Sequence, residues 1–92
     1  MKPFFMYMLE CNDGSYYIGH TDDIDRRIIE HTQGKVSGYT KIRLPIKVVY
    51  VQDFGTRDEA LIAERQIKGW SRKKKEALIK NDWEMIKKLS NE

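Results

Sequence analysis

The chain has 92 residues, of which 40% are apolar and 34% charged, with a formal net charge of +3. This is enough apolar material for one compact core and too little chain for two, and the proportions exclude a low-complexity or fibrous protein. The single cysteine, Cys11, excludes an internal disulfide and a thiolate metal cluster, and its place at a predicted strand end fits a buried structural thiol.

The start, Met1-Lys2-Pro3-Phe4, carries one lysine and a short apolar run, which fits neither a signal peptide nor a membrane span, so a cytoplasmic protein without membrane contact is expected. No Pro- or Ser-rich linker interrupts the sequence. One domain over residues 1–92 is expected, with a core over about 4–80 and a helical tail over about 81–90. Charge is divided unevenly: residues 1–34 hold 3 Lys/Arg against 6 Asp/Glu, and residues 35–92 hold 14 against 8. Between Arg65 and Lys80, seven basic residues stand against Glu76, with Trp70 among them. Such a surface suits a polyanion, although a solvated lysine-rich helix face has the same composition.

In chain order, Phe4 to Leu9 is an unbroken apolar and aromatic run, too short for a globular helix, and predicts a central strand covered on both faces. Asn12-Asp13-Gly14 predicts a turn, and Ser15 to Gly19 a returning strand. The register of this hairpin decides whether Tyr7 and Tyr17 share a face. A two-residue loop would pair residues whose numbers sum to about 27 and separate the rings, whereas a three-residue loop with Gly14 as the left-handed residue sums to about 26 and brings them together. The composition of the turn favours the shared face. Thr21 is the expected N-cap of a helix over about 22–32, in which Ile24, Ile28 and His31 form the buried stripe and Arg27 lies one turn before His31. Gln33 to Pro45 reads as a loop containing Tyr39, Lys41 and Arg43. Ile46 to Phe54 is a third, antiparallel strand, with Ile46, Val48 and Tyr50 on one face and Val49 and Val51 on the other.

Thr56-Arg57-Asp58-Glu59 has the form of a capping box and opens a helix ending near Gly69. Glu64 falls on or beside its apolar stripe, where a carboxylate is costly without a cation. Arg65, Lys68, Arg27 and a metal ion are the options. Ser71 caps a basic helix through Ile79, and Asn81 or Asp82 begins a last short helix through Leu89 with Trp83 and Ile86 facing inward.

Phe5-Met6-Tyr7, then Tyr17-Ile18-Gly19, then Arg27 eight positions on, and then Glu64 on the next long helix resemble the GIY-YIG endonucleases. The match runs from residue 4 to about 80, and the segments Met6–His31 and Glu59–Lys68 are most similar to the small stand-alone bacterial members. The departure is at the first motif, where Phe5-Met6 replace the Gly-Ile that give the family its name, while the functional tyrosine remains. The resemblance implies an α+β fold with a three-stranded antiparallel sheet flanked by helices, one divalent metal, Mg²⁺ or Mn²⁺, and hydrolysis of DNA phosphodiesters, with a setting in DNA repair or recombination. It also implies Tyr17 as general base.

The residues themselves suit that chemistry. Cleavage needs a nucleophilic water, a base, positive charge for the phosphorane and help for the leaving oxygen. Glu64 can supply the carboxylate for a hard metal ion, and Arg27 a planar fork for two phosphate oxygens. His31 is an alternative base or relay because its ordinary pKa lies nearest neutrality, and His20 is a further candidate. Tyr7 is expected to hydrogen-bond within the site. Lys41, Arg43, Lys68, Arg72, Lys73 and Lys74 are the expected nucleic-acid contacts, through the backbone and without sequence information. Targeting would then rest on DNA shape, single-strandedness or a protein partner. The competing expectations are an inactive nucleic-acid-binding module of the same fold and a repair-complex adaptor displaying an exposed Trp70/Trp83 patch.

Overall fold

The computed structural model describes residues 2–90. The aromatic and long apolar side chains of Phe4–Glu10 form β1, the middle strand of a three-stranded antiparallel sheet with β2 (Tyr16–Thr21) and β3 (Lys47–Phe54) in the order β2-β1-β3. Met6, Tyr7, Met8 and Leu9 are all fully buried, two on each face, which is why no polar residue interrupts the run.

Partners in the hairpin include Tyr7 with Gly19 and Leu9 with Tyr17, the register of a three-residue loop. Gly14 adopts φ +84°, open to glycine at little cost, and its N–H bonds to the Cys11 carbonyl at 3.0 Å. Asp13 accepts from the Ser15 N–H at 3.0 Å. Tyr7 and Tyr17 therefore share a face, as the turn composition predicts. On the other side of β1, the pairing slips by one residue, since Met8 opposes Tyr50 while Leu9 opposes Val48. The extra residue, Val49, corrects the simple alternation expected of this strand: Val48 and Tyr50 end on opposite faces, and consecutive Val49 and Tyr50 both pack on the main core.

One face of the sheet carries α3 (Arg57–Lys68), α4 (Arg72–Ile79) and α5 (Trp83–Ser90), whose core comprises Met6, Met8, Ile18, Ile67, Ala77, Leu78 and Ile86. Burying each of the larger side chains contributes about 1.5–3 kcal/mol. The predicted caps form: Thr56 Oγ1 accepts from Glu59 N–H at 3.2 Å, and Ser71 Oγ from Lys74 N–H at 3.2 Å. Within the box, the Glu59 carboxylate accepts from the Thr56 hydroxyl at 3.0 Å. Trp83 is 50% exposed and does not face inward as expected. Here α5 packs on α4, Ile86 fills the contact, and the Trp83 indole N–H turns back to Asn81 Oδ1 at 2.7 Å.

The tyrosine face carries α1 (Ile24–Thr32) and a one-turn helix α2 (Gly38–Lys41), which lies inside the segment read as a loop. A single turn has no apolar period to reveal it; its signal is Ser37, whose hydroxyl accepts from Tyr39 N–H at 3.1 Å. The first helix starts two residues later than expected because Asp23 is its cap, accepting from Arg26 N–H at 3.2 Å. Thr21 instead accepts from Asp23 N–H at 3.1 Å, bracing the turn before the helix. Ile24 and Ile28 are only half-buried, leaving His31 as the buried residue of α1. No helix among the described residues is long and apolar enough to cross a membrane.

Leu78→Ala should destabilise the fold by about 2–5 kcal/mol through the cavity it leaves. Ile62→Ala, at an exposed position of α3, should change it by less than about 0.5 kcal/mol, read as the shift in urea midpoint at constant m-value.

Candidate active site

The site is built on one close approach. A Cβ at Gly19 would lie 2.5 Å from Tyr7 Oη and 2.7 Å from its Cζ, so the phenol crosses β2 only because position 19 has no side chain. Beyond that glycine, Tyr7 Oη meets His31 Nε2 at 2.8 Å, and His31 Nδ1 meets Thr40 Oγ1 at 3.0 Å. His31 and Thr40 are both fully buried. The Thr40 hydroxyl donates to the Ser37 carbonyl at 3.3 Å, so it accepts from the His31 Nδ1–H, and Nε2 is left to accept the Tyr7 proton.

Burial, reinforced by the neighbouring Arg27 cation, pushes the His31 pKa down to about 4, so the ring is neutral near pH 7 as this bonding order requires. Burial and the nearby Tyr17 push Tyr7 up to about 12, with the Arg27 side chain acting in the opposite direction. Tyr7 thus keeps its proton and donates it in a hydrogen bond to His31 Nε2.

Tyr17, half-buried on the same face, has its ring centroid 5.1 Å from His31, 6.4 Å from Tyr7 and 6.3 Å from Tyr39. Arg27 extends from α1 with its Nε 3.6 Å from Glu30 Oε1. Glu64 comes from the core-side helix α3 and is buried, with Oε1 3.0 Å from His20 Nδ1 and Oε2 3.5 Å from Lys68 Nζ. Of the cations expected for this carboxylate, Lys68 is found; His20 takes the place foreseen for Arg27 or Arg65. Tyr17, Arg27 and Glu64 all lie near enough to bear on the Tyr7 proton, Tyr17 and Arg27 most strongly and Glu64 least. The feature that sequence reasoning missed is Thr40. A threonine in a polar segment carries no periodic signal, and only the preceding Ser37 cap hinted at local order.

The predicted nucleic-acid contacts divide into two groups. Arg43 is committed within the protein, with Nε 3.0 Å from Asp13 Oδ2 and an N–H donated to the Tyr39 carbonyl at 3.0 Å. Arg72 donates to the Gly14 carbonyl at 2.8 Å and lies over the Tyr16 ring. Both fasten the β1–β2 turn. Lys41 and Lys73 are exposed, Lys74 lies 4.2 Å over the Trp70 ring, and Lys68 neutralises Glu64.

For a divalent ion, the hard donor at this point is the Glu64 carboxylate, and no group of three acidic, His or Cys side chains converges among the described residues. One carboxylate fits an ion that keeps most of its ligands as water and substrate phosphate, as Mg²⁺ does. Lys68, whose side chain is mostly exposed, can leave the carboxylate by rotation about its own bonds.

A tyrosine pair on an antiparallel hairpin, an arginine on the following helix and a buried glutamate define a phosphodiester-cleaving class of domain, and the chain belongs to the GIY-YIG family, whose catalytic-domain model matches residues 3–77. More particularly, it is similar to the UPF0213 protein of Streptococcus pneumoniae serotype 4, 48% identical over 75 residues covering 82% of this chain and 76% of that one. It is also similar to UPF0213 protein SSP2268 of Staphylococcus saprophyticus, 47% identical over 79 residues covering 86% and 96%. The solution NMR structure of UPF0213 protein BH0048 from Bacillus halodurans matches with a TM-score of 0.56 and 44% identity over 85% of this chain and 83% of that one. That of EF2693 from E. faecalis matches with a TM-score of 0.61 and 38% identity over 88% and 86%. The chain therefore carries a nuclease-family domain, for which DNA is the implied substrate class.

Gly19→Ala should cost about 1–3 kcal/mol because the Tyr7 ring must shift, read as a lowered urea midpoint. The His31 pKa is lower folded than unfolded, so between about pH 6.5 and 4 the unfolded chain binds the proton that the folded one refuses. Stability should be fully present above the unfolded pKa and fall with pH through this window by about 3 kcal/mol. Urea titrations from pH 8 to about 4 should show this slope in the wild type and its loss in His31→Gln.

Proposed function

We propose that this protein is a divalent-metal-dependent endonuclease that hydrolyses DNA phosphodiester bonds in the cytoplasm, in the service of repair or recombination. The reading is supported by the Tyr7–Tyr17 pair, with ring centroids 6.4 Å apart beside the gap at Gly19, together with the buried Glu64 carboxylate and an Arg27 side chain close enough to act on the Tyr7 proton. Arg27 directs its guanidinium to two non-bridging oxygens of the phosphate and stabilises the charge that grows on them in the transition state. Tyr17 takes the proton of the attacking water. Two facts favour it over His31: the imidazole is fully buried with both nitrogens occupied, and its pKa of about 4 makes it a weak base. Tyr7, its own proton directed to His31, keeps oxygen lone pairs free to orient groups in the site.

Glu64 is the residue that would hold Mg²⁺ or Mn²⁺, which when bound supplies positive charge for the phosphorane and the leaving oxygen. His20 fixes the carboxylate's orientation. The substitution of Phe5-Met6 for the family's Gly-Ile alters packing: Met6 is fully buried in the core, Phe5 is half-buried, and the tyrosine that follows is retained. The exposed Lys41 and Lys73 support contact with the phosphate backbone, which leaves substrate choice to DNA shape or a protein partner. The adaptor reading loses its support because Trp70 packs against the core, leaving Trp83 without the second ring of an exposed patch.

With labelled single-stranded, duplex and branched DNA, wild type should cut in Mg²⁺ or Mn²⁺ and not in EDTA. Glu64→Gln and Arg27→Ala, shown to be folded by circular dichroism, should each lose roughly 10²-fold or more in rate. Binding without cutting on every substrate and with either metal would instead identify an inactive binding module.

A further inference from the structure

Because β2 is an edge strand, its outer side is open, and along it runs a cleft of about 400 Å³ lined by Tyr16, Tyr17, Ile18, Tyr39, Lys68 and Lys75. This volume is in the range of small-molecule sites. Three aromatic rings and two ammonium groups around one opening offer flat π faces for a base and cations for a phosphate.

Tyr39 is the distinctive member. It is a large aromatic residue left 38% exposed, yet it is held still: the Arg43 guanidinium lies 3.8 Å from its ring centroid and is itself fixed by Asp13 and the Tyr39 carbonyl. Arg43 covers one face of the ring and is not among the residues that line the cleft. The Tyr39 ring lies at 29° to Tyr17, with 6.3 Å between centroids. An immobilised ring loses little freedom when a second aromatic system stacks on it. Lys68 lines the same cleft from α3 while its Nζ lies 3.5 Å from Glu64 Oε2, so one wall of the cleft is paired with the carboxylate proposed to act in catalysis.

We propose that this cleft is a nucleobase-stacking subsite. The base of a nucleotide next to the scissile phosphate stacks on Tyr39 and Tyr17, and its phosphate meets Lys68 and Lys75. The inference rests on the nuclease reading and narrows its substrate. A base inside a duplex has both faces covered by its neighbours, so the nucleotide that enters must be unstacked, as in a single strand, a flap or a bubble. Stacking tolerates any base, so the subsite selects strand state and not sequence.

The test is binding in EDTA, by fluorescence anisotropy, of an oligothymidylate, an abasic deoxyribose-phosphate strand of equal length and charge, and the corresponding duplex. The base-bearing strand should bind roughly tenfold more tightly than the abasic strand. Tyr39→Leu should remove that difference, Tyr39→Phe should keep it, and a 2-aminopurine strand should be quenched by wild type and Tyr39→Phe alone. Equal affinity of wild type for the abasic and base-bearing strands, or an unchanged preference in Tyr39→Leu, overturns the proposal. Cleavage run in parallel separates it from the reading beneath: base-dependent binding with no cutting leaves the subsite standing and removes the nuclease, whereas cutting of abasic and base-bearing strands at equal rates does the reverse.

Discussion

The hydrogen bond from Tyr7 to His31 is the contact on which the site depends, since it joins the central strand to the first helix through the middle of an otherwise separate layer. It exists only because Gly19 lets the phenol pass over β2. It is directional because the imidazole is neutral and its other nitrogen donates to Thr40, whose own proton goes to the Ser37 carbonyl. Four residues from β1, α1, α2 and the loop before α2 are therefore ordered by one chain of donors and acceptors, with no buried side-chain polar atom unpaired among the described residues. A fully satisfied buried network of this kind specifies geometry more strictly than apolar packing does.

The same burial that makes the network rigid divides the chemical labour. Desolvation keeps Tyr7 protonated and His31 neutral, so neither group changes its charge near pH 7. Glu64 is also withdrawn from solvent, but it keeps a compact set of partners, an imidazole that fixes one oxygen and a flexible lysine at the other. Its charge can be redirected toward a metal ion without rebuilding the helix that carries it. Arginines and lysines follow a comparable division. Arg43 and Arg72, with planar forks, fasten the hairpin turn to the segment around α2 and to α4, while Lys41 and Lys73 stay exposed at the surface.

Much of the fold was legible because its signals are local. A run of six apolar residues in a chain this short has to be a covered strand, and Asn12-Asp13-Gly14 selects a loop length and with it the face shared by Tyr7 and Tyr17. Thr56 and Ser71 announce their helices by the same chemistry that caps them in the structure. The errors fall where local and tertiary demands part. Val49 is inserted into the β3 ladder to bring both it and Tyr50 onto the core, which no alternation rule contains. Trp83 has the apolar character of a core residue, but α5 meets only α4 closely enough to need Ile86.

By itself, the sequence determined the three strands and the four longer helices, the register of the hairpin and most of the residues able to do chemistry, because each is written in spacing over a few positions. Tertiary structure decided their states: which imidazole nitrogen accepts, which cation Glu64 finds, that Thr40 completes the network and that Arg43 is a clamp. Those outcomes depend on burial and on distances between residues such as Tyr7 and His31 or His20 and Glu64, 24 and 44 positions apart. Protonation and pairing energies are set by the groups gathered in space, and proximity along the chain does not encode them.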